Sequence, residues 1–146
     1  MVLTTTQSIE QQVSADTTTV SYAFQNLENN LQEWRLAVDF LRKEQVFLVE
    51  MLELSIHSAN GNKQAELTNF QGKITSFVEQ DVLPFSQQLQ TQMINLIVNN
   101  ESGSSIELTE SYESLENRWK EIATIFKGLK LIAFEKITDN VPISIY

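Results

Sequence analysis

A chain of 146 residues, 42% hydrophobic and 20% charged, fits one folded domain and is too rich in branched aliphatics and aromatics for a disordered one. The formal charge of −9 repels phosphates and anionic lipid heads, and the 10 basic residues are scattered rather than clustered, so nucleic acid is not expected as a partner. With no cysteine there is no disulfide, thiolate nucleophile or thiolate metal site, which fits a cytoplasmic protein. The N-terminus lacks the basic and apolar regions of a signal peptide. The densest apolar stretch, Val46 to Ile56, is interrupted by Glu50 and Glu53 and falls short of the roughly 20 residues a membrane span requires.

Residues 1–20 are polar and threonine-rich. Ser8 and Gln11 have capping-box spacing for a short N-terminal helix, and Thr17, Thr18 and Thr19 then disfavour its continuation, giving an extended lead-in. From Phe24 to Ser58 the pattern changes. Phe24, Leu27, Leu31, Trp34, Val38, Leu41, Leu48 and Leu52 recur in steps of three and four, interrupted only by Gln45, which predicts one long amphipathic helix. Asn60-Gly61-Asn62 closes it, with Asn62 placed to cap the next helix.

The second helix is expected from Lys63 to about Asn99, with Leu67, Phe70, Ile74, Phe77, Val82, Phe85, Leu89 and Leu96 on its apolar side. Pro84 lacks an amide hydrogen and crowds the preceding turn, so a kink is expected near Gln80–Pro84. Asn99 to Ser105 reads as the second turn. Ser104 and Glu107 make a capping box, and Leu108, Tyr112, Leu115, Trp119, Ile122, Phe126, Leu129 and Ala133 carry a third helix to about Lys136. Short connections between long helices make them antiparallel neighbours. The expectation is an all-α, up-down-up three-helix bundle over residues 21–138, with a polar segment before it and an apolar tail, 139–146, after it.

One end of this bundle carries more apolar surface than three stripes require. With Leu48 inward, Phe47, Met51 and Leu54 widen the first helix's stripe on one side; with Leu129 inward, Leu131 and Phe134 point away from the core. The N-terminal segment, the C-terminal tail, a second protein chain or an apolar ligand could cover them. Phe47, Met51, Leu54, Leu131 and Phe134 are therefore the candidate interaction residues of a non-enzymatic scaffold that forms a homo-oligomer, a dimer among the options, or docks a protein partner. A partner-helix receptor would show an open groove between the first and third helices. A bundle holding a small apolar ligand would show a cavity lined by Phe77, Phe85 and Met93, and an enzyme would place its site near Asp81 and the kink.

No motif indicates a cofactor, metal or catalytic centre. His57, the single histidine, has Leu54 three residues before it instead of the glutamate of bundle metal sites, and it sits well against the negative end of its helix. Glu50 and Glu53, like Glu110, Glu113 and Glu116, read as solvated faces. Gln45 and Asp81 occupy or border stripe positions and read as register-fixing polar residues. Trp34 and Trp119 read as core.

The run Leu31-x-x-Trp34-x-x-x-Val38-x-Phe40-Leu41-x-x-Glu44, followed by Glu66-x-x-x-Phe70-Gln71, resembles a group of small uncharacterised bacterial helical proteins. The resemblance covers the first two helices and implies a helical bundle without implying an activity. Trp34 with Trp119 is similar in architecture to spectrin-like repeats, although no second repeat is present. Haemerythrin-like bundles share the helical layout, but this chain lacks their histidine ligands.

Overall fold

The structure is a computed structural model that describes residues 2–102 and 106–139, with side chains placed over 25–98 and 112–139. Among these residues it is all-α: α1 (Val2–Ser58), α2 (Asn62–Phe77), a π-helical turn (Val78–Val82), α3 (Leu83–Ser102) and α4 (Ile106–Asp139). Since α2, the π turn and α3 run on without a break, the chain forms three helical rods.

The expected lead-in and separate short helix at the N-terminus are replaced by continuous helix from Val2. Residues 2–58 contain neither glycine nor proline. A threonine lowers helix propensity by well under 1 kcal/mol, so Thr17–Thr19 weaken the rod without ending it. The break comes where Gly61 takes a φ of 58°, a conformation that suits glycine; Asn62 is the first residue of α2 and not its cap. The Gln64 side-chain amide donates to the Ile56 carbonyl at 3.2 Å, satisfying one acceptor at the end of α1. Ser104 and the tail Ile143–Tyr146 lie outside the described residues.

The buried residues of α1 keep the expected spacing, from Leu31, Val38 and Leu41 through Leu48 and Leu52 to Ile56. On α4, Leu115, Ile122, Phe126 and Ala133 do the same. The middle rod is different. Leu67, Phe70, Ile74 and Phe77 are buried in steps of three and four, yet the next buried residues are Val78 and Val82, and the pattern then resumes at Phe85 and Leu89. A continuous α-helix turning about 100° per residue would bring Asp81, Pro84 and Gln88 beneath Phe77, and would swing Val82, Phe85 and Leu89 roughly 80–140° away. The π turn absorbs one extra residue and restores the phase. Its wider bonding is visible where the Leu83 amide donates to the Val78 carbonyl, five residues back. In place of the kink expected from Pro84, the chain uses a phase correction just before the proline, which itself lies exposed.

Contacts between rods fix their registers. Gln71 on α2 donates to the Val49 carbonyl at 3.1 Å and to Glu53 at 2.9 Å, while Gln64 reaches Ile56. Phe77 stacks on Phe126 with centroids 6.4 Å apart, and Phe85 on Trp119 at 5.9 Å. Between α1 and α4, Asn30 donates to the Tyr112 hydroxyl at 2.7 Å, Trp34 packs on Tyr112 at 5.2 Å, and Lys130 pairs with Glu44 at 3.0 Å. Both tryptophans are half-buried against the core, as expected.

Candidate interaction surface

Four of the five candidate interaction residues stand outside the core. Phe47 is 54% exposed, Leu54 62%, Leu131 57% and Phe134 45%. Met51 is the exception and a correction: it is half-buried and packs against the core, because it lies one position before Leu52 on the side that turns toward α4.

Phe40, not among the candidates, is 63% exposed and completes the pattern. Phe40, Phe47 and Leu54 are seven residues apart, and a helix drifts only about 20° per seven residues, so they form one row along α1. That heptad spacing was present in the sequence beside the stronger core stripe. The Glu44–Lys130 pair sets the level of the facing helix: Phe47, three residues past Glu44, comes opposite residue 133, between Leu131 and Phe134. A groove of about 400 Å³ runs between α1 and α4, its wall including Phe40, Leu41, Trp119, Phe126, Lys127 and Leu131. This is the open groove between first and third helices that a helix receptor requires.

The polar frame around this surface is made of ion pairs. Lys130 lies between the Glu44 carboxylate and the Phe126 ring, 5.7 Å from its centroid, so its ammonium is held on the groove floor. Lys136 bonds Glu66 and sits 5.6 Å over the Phe70 ring. Bonding to Lys136 keeps the Glu66 carboxyl below its ordinary value. Tyr112, at the opposite end, is pushed up by burial and by the nearby Glu116 carboxylate.

The remaining candidates separate from this surface. Asp81 is bound by Arg118 at 2.6 Å, and Arg118 also reaches Glu121 at 3.1 Å. These hydrogen bonds hold the guanidinium pKa above its ordinary value, and the carboxylate ties the π turn to α4. Sequence reasoning singled out Asp81 without finding Arg118, since the two are 37 residues apart and no local pattern links them. Gln45 is half-buried. His57 is exposed, 3.5 Å from Glu53. Phe77 and Phe85 are packed against α4, and the hollow that includes Met93 is instead walled by Arg35, Asp39, Ser86, Leu89 and Gln90.

Among the described residues no group of histidine and carboxylate side chains could hold a metal ion, and no helix is long and apolar enough to cross a membrane. No family model matches the chain, and no curated protein or solved structure proves significantly similar to it.

Proposed function

We propose that this is a non-enzymatic interaction protein that self-associates through the apolar face between α1 and α4, the occupant of that face being a second copy of the chain. The observation that carries the reading is the row Phe40, Phe47 and Leu54 standing beside Leu131 and Phe134, all exposed, along an open groove. Large contiguous apolar surfaces on folded domains mark interaction sites. Each such side chain gains roughly 1.5–3 kcal/mol when fully covered.

We read the three rods as an up-down-up bundle. Support comes from the registers: from Asn30 to Glu44 on α1 the partners on α4 rise from Tyr112 to Lys130, whereas from Val49 to Ile56 the partners on the middle rod fall from Gln71 to Gln64. Parallel α1 and α4 leave between them the seat that a fourth, antiparallel helix takes in a four-helix bundle. A cysteine-free, acidic chain of this kind fits a reducing cytoplasm.

The competing readings have less support. Asp81 is committed to Arg118, as expected of a residue fixing register, and Phe77 and Phe85 are filled in by aromatic neighbours where a ligand cavity would need space. The test is light scattering after size exclusion over a hundredfold concentration range, on the wild type and on Leu131→Glu with Phe134→Glu. A wild-type oligomer and a fully helical monomeric variant are expected. A monomeric wild type, a variant that stays oligomeric, or a variant that unfolds would refute the reading.

A further inference from the structure

We propose that the seat between α1 and α4 is filled by the N-terminal third of α1 from a second copy, so that two copies exchange their long helices antiparallel. This rests on the self-association reading above and names its partner surface.

The first argument is length. At 1.5 Å per residue α1, with 57 residues, is about 86 Å long and α4, with 34, about 51 Å. The Asn30–Tyr112 bond puts Ile106, the first residue of α4, level with about residue 24 of α1. Helix from Val2 to Ala23 therefore precedes the start of α4 and spans roughly 33 Å. The exposed row from Phe40 to Leu54 is about 21 Å long, within that reach. Because α1 is unbroken, its N-terminal third cannot fold back onto its own row. It can lie on the row of another copy.

The second argument is pattern. In the sequence Val2, Ile9, Val13 and Val20 recur at intervals of seven, four and seven, which on a helix falls within about 40° of one line. Antiparallel pairing of α1 centred near residue 30 brings residue 20 level with Phe40, residue 13 with Phe47 and residue 6 with Leu54. Apolar positions seven apart then meet apolar positions seven apart.

The third argument is charge. Residues 1–34 contain no lysine or arginine, and the N-terminal third carries Glu10 and Asp16, while the groove wall presents Lys127 and Lys130. Two-fold symmetry lets each copy fill the other's seat with the same surfaces, so the assembly closes as a dimer.

Absence of cysteine makes the test clean. Single-cysteine chains Val13→Cys and Phe47→Cys are mixed and oxidised, and in parallel the mass and helicity of Ile9→Glu with Val13→Glu are measured. The expected results are a 13–47 disulfide between chains, a wild type of twice 16.7 kDa, and at least a tenfold weaker dimer in the double glutamate variant. If Leu131→Glu with Phe134→Glu dissociates the dimer while Ile9→Glu with Val13→Glu leaves it intact, the inference is overturned and the self-association reading stands. A 47–47 disulfide in place of 13–47 overturns the antiparallel exchange in the same way. A wild type that stays monomeric assigns the face to the chain's own C-terminal tail or a foreign protein, and both readings fall.

Discussion

Deleting one residue from the middle rod should have opposite consequences depending on where it is removed. The π turn at Val78–Val82 holds one residue more than an α-helix would, and that extra residue keeps Val82, Phe85 and Leu89 in phase with Phe77. Removing Gln80 lets an ordinary α-helix carry the same buried side chains in steps of four and three. The remaining obstacle is Pro84, which in a helix interior costs on the order of 3 kcal/mol. Gln80 deletion combined with Pro84→Ala should therefore stay within about 1 kcal/mol of the wild type, the usual scale for a change that leaves the core intact. Deleting Gln88, an exposed residue, offers no such escape. Either Leu89 and Leu96 rotate out of the core, or the π turn collapses and Val82 and Phe85 do so instead. At roughly 1.5–3 kcal/mol for each large side chain, the loss is about 3–6 kcal/mol. Urea unfolding followed by helical circular dichroism measures both variants against the wild type. Equal destabilisation by the two deletions would refute the phase-correcting role of the turn.

Three further outcomes follow from the ion pairs and from Tyr112. Arg118→Ala leaves Asp81 without its cation; both side chains are more than a third exposed, so solvent screening limits the loss to about 1 kcal/mol, and double-mutant analysis with Asp81→Ala at low and high salt should show the coupling shrink with salt. Glu66 is held below its ordinary value by Lys136, so the folded state prefers its ionised form: this contribution is present above the unfolded carboxyl value and fades as pH falls through the folded one. Glu66→Gln should remove that part of the acid-side dependence of thermal unfolding, and an unchanged profile would contradict the pairing. Tyr112 is shifted the other way, mainly by burial, so its neutral phenol stabilises the fold below the ordinary tyrosine range and is lost as pH rises through the folded value. Phenolate absorbance should show one tyrosine ionising late, and Tyr112→Phe should abolish that late step.

The long amphipathic helices were legible because their information is local. A stripe such as Leu31, Trp34, Val38 and Leu41 has one burial solution, and Gly61 marks where the first rod must end. Outward positions could be read by the same geometry, which is why Phe47, Leu54, Leu131 and Phe134 emerge as exposed in the structure. Met51 failed because a position at the edge of a stripe is buried or not according to how closely the neighbouring helix approaches. The threonines near the N-terminus misled for a related reason: propensity is a small energy per residue, and without a glycine or proline it does not stop a helix.

What the sequence by itself determined is the number of rods, their apolar faces and the surplus of apolar side chains at one end, since periodicity and composition are properties of neighbouring residues. Only tertiary structure decided the rest. The pairing of Asp81 with Arg118, the Glu44–Lys130 level that sets Phe47 against Leu131 and Phe134, and the one-residue correction before Pro84 depend on which surfaces meet across the bundle. Such matches are set by packing between segments far apart in the chain, where a single residue of phase moves a side chain about 100° around its helix and decides whether it is buried.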